Sequence, residues 1–268
     1  MRFSTEIFSK YRDFINASFG IYYGDIKKEL LRIKIDKCLI KSGVKGYDDF
    51  FGLLVSGDEK YLRLFTDEIT VNKTGFFREN DHFEMLRDRL PVMCAGGNIA
   101  KNSEIRVWSA ACSTGQEPYT IAAVLHDVLP PHINIKILAT DISSRVLLAA
   151  TAGRYSIDLK DEIPKRYFER YFTEDGDSIT VNDNIKTLVR FRHFNLMDRF
   201  PFSGLFDIIF CRNVMIYFNL ATQQNIVDKI YACMAQGGLF FLGQSESLLN
   251  KRHTFKTLKY SVYCKMGY

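Results

Sequence analysis

RVWSAACSTGQEPYTIAAVLHDVLPPHINIKILATD, residues 106–141, is the stretch on which the fold turns. Its start continues an apolar run, 105–111, that suits a buried strand. The small residues Cys112-Ser113-Thr114-Gly115 make a tight turn. Beyond it Ile121, Ala122, Val124, Leu125, Val128 and Leu129 recur at spacings of three and four, the mark of a helix face. Pro130-Pro131 ends that helix. A second buried run, 133–139, finishes on Thr140-Asp141. Strand, turn, helix, strand and terminal acid make a nucleotide-binding βαβ unit, which predicts an α/β, doubly wound, Rossmann-like sheet.

Working outward, residues 1–70 read as a helical module. Ser4 or Thr5 caps a helix to about 18, a second spans 26–40, and two short ones cover 47–55 and 59–70. The second is basic: Lys27, Lys28, Arg32, Lys34, Lys37, Lys41 and Lys45 stand against Glu29 and Asp36. Such a face is either simply solvated or a docking surface for an acidic partner. Residues 71–80 form a linker in which Phe76-Phe77 can anchor on the next domain, 81–268. There a helix over 81–93 precedes the βαβ unit and another, 145–152, follows it. A small antiparallel β insertion is expected over about 173–192. The main sheet then resumes with a strand at 205–210, a helix at 221–234, Gly237-Gly238 as the turn into a strand at 239–242, and a closing strand at 260–265.

The first turn holds one glycine where a dinucleotide fold wants G-x-G-x-x-G. Pyrophosphate needs bare amides at a helix N-terminus, and Glu117 in the first helical turn would oppose it. A cationic nucleoside suits the turn better, and S-adenosylmethionine carries a sulfonium and an ammonium. Glu117 has a second reading, as the distal member of a Thr114-x-x-Glu117 capping box. Asp141 either holds a ribose diol or caps the next helix. Arg212-Asn213 follow a buried strand at the carboxyl end of the sheet, where open α/β folds bind ligands. Tyr217 either borders that crevice or packs in the core.

With 47% hydrophobic and 25% charged residues over 268 positions, the composition is that of a soluble globular chain able to bury a sizeable core. A net charge of +5 is too mild to argue for nucleic acid. The six cysteines are scattered without a C-x-x-C pair, which favours reduced thiols and a cytoplasmic protein. No signal peptide or membrane span is expected. The five histidines lack metal-ligand spacing, so no metal is expected.

The strings V-N-K-T-G-F-F-R-E, R-V-W-S-A-A-C-S-T-G-Q-E-P-Y-T, A-T-D-I-S, F-N-L-M-D, F-D-I-I-F-C-R-N-V-M-I-Y-F and G-G-L-F-F-L-G-Q-S-E-S-L resemble the CheR family, the bacterial chemotaxis-receptor methyltransferases, in order and spacing over nearly the whole chain. The resemblance implies methyl transfer from S-adenosylmethionine to glutamate side chains of chemoreceptors, giving γ-glutamyl methyl esters and S-adenosylhomocysteine. It implies cofactor contacts at Asn72, Thr74, Arg78, Glu117, Asp141, Asn195, Leu196, Arg212 and Asn213, with Arg78 and Tyr217 beside the transferred methyl. A carboxylate nucleophile is ionised at neutral pH, so no general base is required, and a dry crevice that aligns the two reactants does most of the work. Some family members carry a glycine-rich loop in the β insertion that captures a C-terminal receptor tether. Here residues 173–178, Thr-Glu-Asp-Gly-Asp-Ser, are short and acidic, so tether-independent methylation is expected, with the basic helix around 27–45 docking the acidic methylation helices. A monomer is expected. The rivals are a nucleic-acid or small-molecule methyltransferase, against which the absence of an N-P-P-Y-like motif counts, and a non-catalytic S-adenosylmethionine-binding interaction protein.

Overall fold

The computed structural model describes residues 3–97, 103–259 and 261–266. Four helices come first: α1 (Thr5–Phe19), α2 (Lys28–Ser42), α3 (Tyr47–Val55) and α4 (Glu59–Ile69). Ser4 caps α1 by accepting from the Ile7 amide, and Gly20, in the left-handed region, closes it. An aromatic cluster that includes Tyr11, Phe50 and Phe65 fills their core with Leu31, Ile35 and Cys38.

Helix α5 (Asp81–Ala95) leads to the catalytic-type domain: β1 (Glu104–Ala110), α6 (Gln116–Val128), β2 (Asn134–Asp141), α7 (Ser144–Ala152), β3 (Arg154–Ser156), α8 (Lys165–Tyr171), β4 (Phe172–Asp175), β5 (Ser178–Val181), α9 (Asp183–Lys186), β6 (Val189–His193), β7 (Phe206–Phe210), α10 (Leu220–Ala232), β8 (Met234–Phe241), β9 (Phe255–Lys259) and β10 (Val262–Lys265). The main sheet runs β6-β2-β1-β7-β8-β10-β9, parallel except where β10 meets β8 and β9. This is a Rossmann-like, doubly wound architecture, with the predicted βαβ unit at its centre. Strands β1 and β7 are almost wholly buried, which is why both read as continuous apolar runs.

Three local expectations are corrected. The antiparallel insertion is built from β3, β5 and β4, whereas β6, placed by the sequence reading within or beside it, pairs in parallel with β2. A run such as VRFRH signals a strand but not its partner. Gly237-Gly238 lie inside β8, at a bulge opposite 206–208, and not before it. A Cβ on Gly238 would stand 2.8 Å from the Ala235 carbonyl oxygen and 2.9 Å from that of Asp207, so glycine is what lets the bulge close. The closing strand is a hairpin, β9–β10; Tyr260, where the sequence reading began it, lies outside the described residues.

The linker seats itself on the sheet domain as Phe76-Phe77 suggested. Phe76 packs edge-on against Tyr155 and Phe172, and Phe77 against Phe83 and Tyr167. The two domains also meet around residues 16–22: the Tyr22 amide donates to the Tyr217 carbonyl at 2.8 Å, and Ile21 bridges Phe218. Among the described residues, no helix is long and apolar enough to cross a membrane.

Candidate active site

Parallel strands all point their carboxyl ends the same way, so the loops after β1, β2 and β7 converge on one edge of the sheet. A cleft opens there between the sheet and the helical domain. Asn72, Thr74, Arg78, Glu117, Asp141, Asn195, Leu196, Arg212, Asn213 and Tyr217 all line it, so every candidate cofactor or catalytic residue reaches the same cleft.

The turn after β1 depends on Gly115, with φ of +94°; a Cβ there would come within 2.8 Å of the Ala150 Cβ and 2.9 Å of the Tyr155 hydroxyl. Gly115 itself is the cap residue of α6 and makes no side-chain bond, so the Thr114–Glu117 capping box does not form. Glu117 instead accepts from the Ser109 hydroxyl at 2.7 Å and faces Arg212 at 3.3 Å. Burial raises its carboxyl above the ordinary value, against the pull of the Arg212 charge. Asp141, also raised by burial, accepts from the amides of Ser113 at 2.8 Å and Ser143 at 2.9 Å. Each of its oxygens keeps lone-pair capacity. Ser143, not Asp141, caps α7.

Arg212 is the hub. Its guanidinium bridges Glu79 at 2.9 Å and Glu117, bonds the Arg78 carbonyl, and lies over the Phe83 ring. Burial alone would raise Glu79, but the hydrogen bond from Asn213 and the Arg212 charge bring it below its ordinary value. Glu246, raised by burial, accepts from the amides of Asn213 and Gly243 at 2.7 Å and Ile216 at 3.2 Å. It therefore fixes the loop from Arg212 to Tyr217. Sequence reasoning missed both acids. They lie 133 and 33 residues from the partners they hold, and although both stand inside quoted motifs, in R-E and S-E, nothing local gives them a role.

Five non-glycine residues at this edge have positive φ: Phe77, Glu79, Ala111, Ser113 and Asn213. Each such backbone costs on the order of 1–3 kcal/mol unless its surroundings enforce it. Here the amides of Ser113 and Asn213 are tied to buried carboxylates. Tyr217 sits in a short 3₁₀ turn, half-buried, its hydroxyl raised by burial and partly offset by Arg78. The Arg78 side chain donates to the Lys73 carbonyl at 2.9 Å. Asn195 donates to the Ser18 carbonyl at 2.7 Å, so this candidate cofactor residue also ties the two domains together. Among the described residues the lining contains no histidine.

The description "CheR methyltransferase, SAM binding domain" matches residues 72–264, and "CheR methyltransferase, all-alpha domain" matches residues 6–70. The chain belongs to the CheR methyltransferase family. Its relatives include the chemotaxis protein methyltransferase of Borreliella burgdorferi, 37% identical over 88% of this chain and 86% of that protein. A probable chemotaxis protein methyltransferase of Rhizobium etli is 34% identical, covering 93% and 96%. As a CheR-family enzyme the chain is an S-adenosylmethionine-dependent methyltransferase acting in chemotaxis. The cleft suits that cofactor on its own terms. The acids that line the cleft, Glu117 in the first turn of α6 and Asp141 at the end of β2, stand where a nucleotide's phosphates would otherwise lie, and Asp141 keeps acceptor capacity toward the cleft. An anionic pyrophosphate would meet those carboxylates, whereas a sulfonium and an ammonium are complemented by them.

Proposed function

We propose that the chain methylates glutamate side chains of chemoreceptors, giving glutamyl methyl esters. The observation that carries this reading is the pairing of Arg78, a cation able to orient a carboxylate, with Tyr217 in the cleft. An acceptor amine or hydroxyl needs a group to take its proton; an ionised carboxylate does not. S-adenosylmethionine supplies the electrophilic methyl. Asp141 would accept from its ribose hydroxyls, Glu117 would face its cationic end, and Asn72, Thr74, Asn195, Leu196, Arg212 and Asn213 would complete its pocket. Arg78 would orient the incoming carboxylate and Tyr217 would wall its path, excluding water.

Incubation with methyl-labelled cofactor and receptor cytoplasmic fragments tests this. Base-labile label released from the receptor as methanol is expected; base-stable label, or label on RNA instead, would overturn it.

Docking is assigned to α2, through Lys27 and Lys37 and the acidic methylation helices, with the enzyme acting as a cytoplasmic monomer. Tether independence is supported by the β4–β5 hairpin, whose turn is only Gly176 and its acidic neighbours, with Glu174 bound to Lys160 and Asp175 to Arg154. Tight calorimetric binding of an aromatic C-terminal receptor pentapeptide would refute that part.

A further inference from the structure

We infer that the acceptor is gripped mainly by an apolar stripe on α2. Ile26, Leu30, Ile33 and Ile40 form a seat for one face of an acidic amphipathic helix, continuous with the cleft. The inference rests on the acceptor reading above and specifies how that acceptor binds.

These four residues follow at steps of four, three and seven, which sets them along one line of the helix and the turn before it. They are 101, 47, 43 and 81% exposed. The solvent face of a surface helix is ordinarily polar, and an ordered apolar line on it marks an interaction site. The helical core does not need them, since Leu31, Ile35 and Cys38 of the same helix are fully buried on the other side.

The charges of α2 are less available than their number suggests. Arg32 is bound to Glu29 and Asp36, and Lys34 donates to the carbonyls of Glu68, Ile69 and Thr70. Lys41 is paired with Glu68, and Lys28 donates to Thr5. Lys27 and Lys37, beside the stripe, make no side-chain hydrogen bond or ion pair among the described residues. An apolar line flanked by two uncommitted cations complements a helix whose apolar face is bordered by carboxylates. Lys27 and Leu30 also line the cleft that holds Tyr217, so a helix on the seat has its side chains at the cleft mouth.

The test is the full-length Ile33→Ser/Ile40→Ser variant methylating a chemoreceptor cytoplasmic fragment from the same genome. KM for the fragment should rise roughly tenfold or more, from the lost apolar burial. That rise should persist at high salt, with kcat and S-adenosylhomocysteine affinity unchanged. Lys27→Ala/Lys37→Ala should raise KM only at low salt. An unchanged KM for the serine variant, with receptor methylation intact, overturns the seat and leaves the acceptor reading standing. If the wild-type chain binds S-adenosylhomocysteine yet methylates no receptor fragment, the acceptor reading falls and the seat's occupant with it. Light scattering that finds a wild-type dimer and a monomeric serine variant of unchanged KM overturns the seat in favour of self-association.

Discussion

On the sheet side of the cleft, Glu79, Glu117, Asp141, Arg212 and Glu246 each hold at least two hydrogen bonds or ion pairs out of solvent. On the helical side Tyr23, Lys34 and Thr66 are bonded within their own domain, but Tyr22, Lys27 and Leu30 at the mouth face the same space and among the described residues make no side-chain hydrogen bond or ion pair. One wall is finished before anything binds. The other is left for a partner to complete. A small ligand met in the same pose at every turnover favours fixed dipoles and strained backbone, because nothing then reorganises during reaction. A macromolecular acceptor brings its own complement, and a surface with few internal commitments can accept several related helices.

The largest way to break this contrast is Arg212→Met. It strands Glu79 and Glu117 as buried carboxylates without their cation, and should cost about 3–5 kcal/mol of folding stability by denaturant unfolding, with loss of S-adenosylhomocysteine binding. Unchanged stability would mean the sheet wall is not built on that ion network.

Acidification probes the same wall. Burial holds His82 down to about 4, and its ring faces Glu79 at 3.7 Å and Ser261 at 3.0 Å. An unfolded histidine titrates near 6.5, so between there and about 4 the unfolded chain binds the extra proton, and stability falls as pH is lowered through that window. The loss should reach roughly 3 kcal/mol and shrink in His82→Gln. Glu117 and Asp141, raised by burial, act in the opposite sense, since protonating them relieves buried charge. The difference between the wild-type and variant pH–stability curves therefore isolates the histidine.

Chemistry at the cleft should respond less. Tyr217→Phe and Arg78→Ala should each lower kcat by roughly 10- to 100-fold, about 1.4–2.8 kcal/mol of barrier, with S-adenosylhomocysteine affinity kept in Tyr217→Phe. If both retained wild-type turnover, their assigned roles would be wrong. Glu246→Gln keeps one acceptor oxygen but turns a donor toward at least one of the backbone amides, and should cost about 1–3 kcal/mol of stability. It should lower kcat non-additively with Tyr217→Phe, because Glu246 acts through the Arg212–Tyr217 loop. Additive losses would reduce it to a structural acid. The smallest effect belongs to the open wall: Lys27→Ala/Lys37→Ala should raise the acceptor KM a few-fold at low salt, under about 1 kcal/mol.

The closed wall was the more legible in part. The βαβ unit shows in the sequence because buried strands and a helix face leave period and run length in 106–141, and a parallel sheet gathers its carboxyl-end loops wherever they lie in the chain. Asp141 and Arg212 could thus be assigned to one crevice. Glu79 and Glu246 could not, since an acid that clamps a distant loop looks locally like any other acid. Glu117 suggested a capping box because the spacing was right, yet a left-handed Gly115 occupies the cap position. On and beside α2 the sequence shows seven basic residues at 27–45 but not what they bind, and only the fold reveals that most are already engaged while the isoleucines are not. The partner of β6 was hidden for the same reason.

The short antiparallel join at Ile21–Phe218 and Tyr22–Tyr217 bears on how such enzymes can be recombined. Gly20, whose Cβ would come within 2.6 Å of the Met197 sulfur, admits no bulk at that seam. A chimera cut between residues 70 and 72, at the boundary of the two family domains, would match a foreign 20–22 segment to a native 215–218 turn. Grafting acceptor preference from one relative to another therefore calls for moving that turn, Met197 and the helices as one inherited unit.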